Sequence, residues 1–125
     1  ANPTTLTAGL ESMKLFDATA IERINTLAQR AIDGIERAIK ETGATACVTG
    51  AGSMFRIHMK EHAPKNFREA YMSPEENAKL KILLDHMFDE NFLMINTCSA
   101  VLSTPMTESE IDELVEAVKR GLQKL

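Results

Sequence analysis

This chain of 125 residues has no tryptophan, one tyrosine, no block of like charge and no apolar run approaching a membrane span. A transmembrane helix needs about 20 consecutive apolar residues. Fourteen Lys and Arg stand against 18 Asp and Glu, a net charge of −4. That balance argues against nucleic acid or an anionic membrane as partner, since either requires a basic face. No secretory leader pattern is visible. Two cysteines, Cys47 and Cys98, lie in strand-like apolar context. They are expected as small buried hydrophobes, with a disulfide or a reactive thiol as the alternative. His58, His62 and His86 are not spaced with the cysteines or with carboxylates as a metal-ligand set.

The usual catalytic signatures are missing as well. There is no GxSxG, P-loop, Rossmann fingerprint or HExxH. Gly50-Ala51-Gly52 lacks a third glycine and precedes a strand pattern rather than a helix. The eight lysines sit in polar, helical or loop context, unlike a desolvated Schiff-base lysine. Glu75–Glu76 and Asp89–Glu90 fall at helix ends, where capping and solvation explain them.

What is present is a globular composition, 44% hydrophobic and 26% charged, of a length that fits one domain. Asn2 and Pro3 read as the N-cap and first residue of a helix whose apolar side is Leu6, Leu10, Met13, Leu15 and Phe16. Asp17 begins a second helix, about Ala18 to Glu41. It is marked by Ile21, Ile24, Ala28, Ala31, Ile35, Ala38 and Ile39 at three- and four-residue steps, and Gly43 closes it. Strands are expected over Thr45–Thr49 and Met54–Met59 around a corner at Gly50-Ala51-Gly52-Ser53. Alternation places Arg56 and His58 on one face of the second strand. Residues 61–72 read as a loop with one helical turn near Phe67–Tyr71.

Ser73-Pro74-Glu75-Glu76 is a strong helix start, with Leu80, Leu83, Leu84, Met87 and Phe88 as the buried side and Asn91 as a left-handed end. Short strands are expected at Phe92–Ile95 and Ala100–Ser103. Thr107 and Glu110 form a capping box before a helix lined by Ile111, Leu114, Val115, Val118 and Leu122. The fold class is therefore α+β: a small, mostly antiparallel sheet of three to four strands with helices packed on one face.

Several segments together resemble the class III PLP-dependent aminotransferases. Asn2-Pro3 and the small-residue helix after it resemble the stretch following the family's SGNP motif. Val48 to Phe55 (VTGAGSMF) is similar to the TGxGSMF corner of glutamate-1-semialdehyde aminomutase and its relatives. Residues 102–112 (LSTPMTESEID) resemble the family's FLSxAHTxEDID ending. The resemblance implies the C-terminal portion of a fold-type I enzyme, with residues 1–42 linking to a large domain and 43–125 forming the small domain. It implies pyridoxal 5′-phosphate as the coenzyme of the parent, a small-molecule amino donor and acceptor, and a cytoplasmic homodimer. The Schiff-base lysine would lie upstream, so this chain alone is expected neither to bind the coenzyme tightly nor to turn over. Asn2 and Pro3 would be remnants of the loop on the phosphate side. Asn96, Thr97, Cys98 and Ser99 would edge the substrate site, with Cys98 near the position of the aminomutase Glu. The missing Glu tilts the expectation from a true aminomutase towards an aminomutase-like aminotransferase of unknown substrate. No arginine stands in that turn either, although many class III aminotransferases hold the substrate carboxylate with one there.

Two other readings stay open on the residues alone. One is a stand-alone α+β binding or dimerisation module; the other is an unrelated enzyme using Cys47 or Cys98 as nucleophile. The apolar side of the first helix is expected to seek cover in a homo-oligomer.

Overall fold

A computed structural model describes residues 2–125; Ala1, the first residue of the expected 1–42 segment, lies outside them. The helices are α1 (Pro3–Leu15), α2 (Ala18–Thr42), α3 (Phe67–Ala70), α4 (Pro74–Asp89) and α5 (Glu108–Leu122). The strands are β1 (Cys47–Ala51), β2 (Met54–His58) and β3 (Ser99–Val101). They form one antiparallel sheet in the order β1-β2-β3. The α+β class, with three strands, is as expected.

Local chemistry explains most element ends. The Asn2 side chain accepts from the Thr4 amide at the start of α1, and Asp17 accepts from Ala20 at the start of α2. A reciprocal capping box joins Ser73 and Glu76, so that α4 begins with its first orphan amides satisfied. Asn91 takes the left-handed conformation after α4, with φ 67°.

α2 is the centre of the fold. Its stripe of Ile24, Leu27, Ala28, Ala31, Gly34, Ile35 and Ala38 is buried. One side meets the sheet; the other meets α5, where a Cβ on Gly34 would collide with Val115. The bidentate Arg30–Asp112 pair and the Glu41–Lys119 pair lie in the same order along both helices, so α2 and α5 run parallel. α4 packs on α5, through the Arg120–Glu90 pair and a buried His86. His86 Nε2 lies 3.0 Å from the Ala117 carbonyl and Nδ1 lies 2.8 Å from Lys124 Nζ. A neutral ring satisfies both by donating from Nε2 and accepting at Nδ1. A single core unites α2, the inner sheet face, α4 and α5. α1 stands apart from that core and has no buried residue.

The structure corrects five expectations. β1 lies two residues later than Thr45–Thr49, because the hairpin turn is the pair Gly52-Ser53 rather than the whole corner. Gly52 supplies the one positive φ, 58°, at the first turn position. Gly50 is a strand residue instead. Its missing side chain lets Ile32 of α2 lie directly on the sheet, and a Cβ there would also sit 2.8 Å from the Met54 carbonyl oxygen.

Phe92–Ile95 is not a strand, and the last strand is Ser99–Val101 rather than Ala100–Ser103. Cys98, at φ 57°, closes a tight turn back on Ile95, leaving one ladder-like bond from the Ile95 amide to the Ser99 carbonyl. Phe88 is 69% exposed rather than part of the buried side of α4, which turns Leu83, His86 and Met87 inward. Ile21 is also exposed, because the buried stripe of α2 begins one turn later, at Ile24.

Gly50→Ala is expected to destabilise the fold by about 1–3 kcal/mol, since the new methyl must displace Ile32 or the β2 backbone. Urea unfolding checks this, and an unchanged midpoint would show that α2 can lift off the sheet freely.

Candidate functional site

The sheet has one closed and one open face. Phe55, Ile57 and Met59 point into the core and are almost fully buried. The alternate residues of β2 point the other way, as the two-residue period requires. Register then builds two rows across the open face. Thr49, Arg56 and Ser99 stand side by side in one, and Ala51, Met54 and Val101 in the next. Met54 and Val101 are exposed, as is Ile95 at the edge. Together these residues line an open groove of about 510 Å³.

Arg56 is half-buried, and its Nε donates to the Thr97 carbonyl at 3.1 Å. Among the described residues no carboxylate pairs with it, and Nη1 and Nη2 have no hydrogen-bond partner. Every buried side-chain N or O atom among the described residues does have a partner, so these two nitrogens reach the surface. His58, two residues on, is buried, and its Nε2 lies 2.9 Å from Thr49 Oγ1. Burial, helped by the positive charges of Arg56 and Lys60, pulls the His58 pKa below its ordinary value. The ring is held neutral beside the guanidinium. Arg56 and His58 thus bond to separate partners and not to each other.

The expected substrate-edge residues do not share a face. Asn96 is exposed, and Thr97 and Ser99 are half-buried with their hydroxyls 3.0 Å apart. Cys98 points inward and is fully buried, its sulfur 4.0 Å from that of Met94. Burial pushes the Cys98 thiol pKa up to about 12, and it also raises that of Cys47. Both cysteines are free. A neutral thiol without access is neither an acid nor a nucleophile at neutral pH. Asn2 is exposed and its side chain is occupied by the α1 cap; Pro3 occupies the first helical position. No group of three His, Cys, Asp or Glu among the described residues is placed to hold a metal.

With this geometry in view, comparison with known proteins identifies the architecture. No protein-family model matches the chain. Glutamate-1-semialdehyde 2,1-aminomutase of Akkermansia muciniphila is 30% identical over 99% of this chain and 29% of its own length. That of Archaeoglobus fulgidus is 28% identical over 97% of this chain and 29% of its own length. An omega-transaminase from Sphaerobacter thermophilus superposes with a TM-score of 0.94 and 31% identity, across 98% of this chain and 28% of that one. This chain resembles the C-terminal part of a class III PLP-dependent aminotransferase. It spans about 29% of the length of the curated relatives it matches. The class III likeness rests on sequence and fold together.

Lys60 is the most enclosed lysine whose surroundings are resolved in detail, and both Glu76 oxygens hold it at 2.8 and 2.9 Å. Lys14, Lys40, Lys65, Lys81 and Lys124 are exposed, while Lys79 and Lys119 are half-buried and paired with Glu75 and Glu41. A lysine of this kind is a solvated or ion-paired cation rather than a desolvated amine.

Cys98 is expected to react with iodoacetamide at pH 8 far more slowly than Cys47, and to catch up only when the chain unfolds. Equal rates would contradict its burial. The raised Cys98 pKa also fixes a sign. The unfolded thiol ionises near pH 9 and the folded one only near 12, so stability is complete below pH 9 and falls as pH rises through that window. Cys98→Ser should flatten the alkaline limb of a stability profile.

Proposed function

We propose that this chain is the small-domain part of a PLP-dependent aminotransferase whose coenzyme is held by residues outside these 125. The fold match at a TM-score of 0.94, with 31% identity over 98% of the chain, carries this reading. Curated aminomutases that align over nearly the whole chain support it, and so does a second transaminase structure, with PLP bound, at a TM-score of 0.84.

Within that enzyme the segment serves as a wall. Its helical layer faces away, and the open sheet face with the Asn96–Ser99 turn borders the substrate. Amino-group transfer between small molecules is the activity of the whole polypeptide. An aminotransferase fits better than an aminomutase, because the turn carries no acid and its inward residue, Cys98, is a buried neutral thiol. The chain alone is inactive. The coenzyme lysine comes from elsewhere, and the lysines in hand, exposed or ion-paired, are consistent with that.

α1 joins the small domain to the rest, as the proposed linking segment 1–42 requires. Its Leu6, Leu10, Met13 and Leu15 are more than half exposed. An apolar helix side of that extent is a surface to be covered, here by the remainder of the polypeptide or the second subunit of a homodimer. No helix among the described residues is long and apolar enough to cross a membrane, which is consistent with the proposed cytoplasmic location.

The alternative of a stand-alone binding module draws on one observation: the core from α2 to α5 closes without help from α1. Adding PLP to the chain separates the two from the third, enzymatic reading. No shifted coenzyme absorbance band and no transamination are expected from residues 1–125, whereas the complete polypeptide should show both. A band from the chain alone would overturn the assignment of the coenzyme site to other residues.

A further inference from the structure

We infer that the open sheet face carries a carboxylate-binding site, with Arg56 as its charged ligand and the Thr49 and Ser99 hydroxyls on either side. The inference rests on the aminotransferase reading only in naming the occupant as the carboxylate of an amino- or oxo-acid substrate. The site itself follows from geometry.

The other arginines of the chain are exposed, whereas Arg56 is half-buried. Arg30 is consumed by Asp112 and Glu108, Arg120 by Glu90, Lys60 by Glu76 and Lys119 by Glu41. Arg23 directs both of its terminal nitrogens to the carbonyls of Thr104 and Met106. Arg56 spends only Nε, on the Thr97 carbonyl. That bond orients the planar group and leaves the Nη1/Nη2 edge open, the edge that meets a carboxylate bidentately.

In a chain of net charge −4, no acid among the described residues answers this half-buried cation. Its ionisable neighbours add no negative charge. His58 is neutral against Thr49, Cys98 is a protonated thiol beneath the turn, and Lys60 is already paired.

The surroundings also suit a small organic acid. Cross-strand pairing holds Thr49 and Ser99 directly beside Arg56 on a three-stranded platform, so the hydroxyls are placed by backbone rather than by flexible loops. The adjacent row of Ala51, Met54 and Val101 offers an apolar surface for a carbon chain leading away from the carboxylate. The groove of about 510 Å³ falls in the roughly 300–1,000 Å³ range of small-molecule sites.

The test is an NMR titration of the ¹⁵N-labelled 125-residue chain with glutarate, against sodium chloride at matched ionic strength. Glutarate is expected to shift the Arg56 Nε–H and the amides of Thr49 and Ser99 saturably. R56Q should weaken binding at least tenfold, and R56K should retain an intermediate affinity because it keeps charge but loses the fork. Unchanged circular dichroism and amide dispersion would show that each variant folds.

Equal shifts with chloride, or a glutarate response that survives in R56Q, would overturn the inference. The titration uses no coenzyme. A failed titration therefore removes this site and leaves the aminotransferase reading standing, whereas failure of the PLP experiment removes that reading and leaves the site.

Discussion

The fold depends on how closely α2 approaches its neighbours. Ala28, Ala31, Gly34 and Ala38 form a buried small-residue edge, and Gly50 on β1 gives Ile32 its seat. A helix with larger residues there would be held away from both the sheet and α5, leaving voids that side chains could fill only with strain. Charged pairs then fix the register along α2 and α5, but they lie on the outside. Exposed ion pairs of this kind contribute little stability. The dry contacts between the elements supply the stability, and the pairs specify which turn meets which.

This arrangement leaves one sheet face free. All the packed helices share the core with Phe55 and Ile57 on the inner face, so the outer row of Thr49, Arg56 and Ser99 is not needed for the core. Arg30 and Arg120 of the helical layer are neutralised by neighbouring acids, whereas the fork of Arg56 has no such partner. A rigid strand that presents an oriented guanidinium between two hydroxyls is a recognition element. It is expensive to keep half-buried and unpaired unless something anionic visits it. The same face holds no desolvated lysine and no accessible thiol.

Much of this was legible from residue order. Asp17, Gly43, Ser73-Pro74 and Thr107 mark helix ends because capping is local, and the stripes of α2 and α5 show the helical period. The hairpin register was not legible. A four-residue corner would have set Thr49 against Met54, while the observed two-residue turn sets it against Arg56. That slip keeps every side chain on its face and changes its neighbour, so alternation could place Arg56 and His58 together but could not reveal the Thr49–Arg56–Ser99 row. The failed strand at Phe92–Ile95 has a similar cause. β-propensity marked the run, but the left-handed Cys98 closes the turn too tightly for pairing, and nothing local signals that conformation. Phe88 was misplaced because α4 buries His86, a polar residue whose two tertiary hydrogen bonds cannot be foreseen from spacing.

On the proposed reading, the coenzyme is held by residues outside this chain while this chain supplies a recognition wall. Borohydride reduction of the PLP-loaded complete polypeptide, followed by peptide mass spectrometry, tests this directly. The pyridoxyl label is expected on a lysine outside residues 1–125. Stoichiometric labelling of any of the eight lysines within this chain would contradict it.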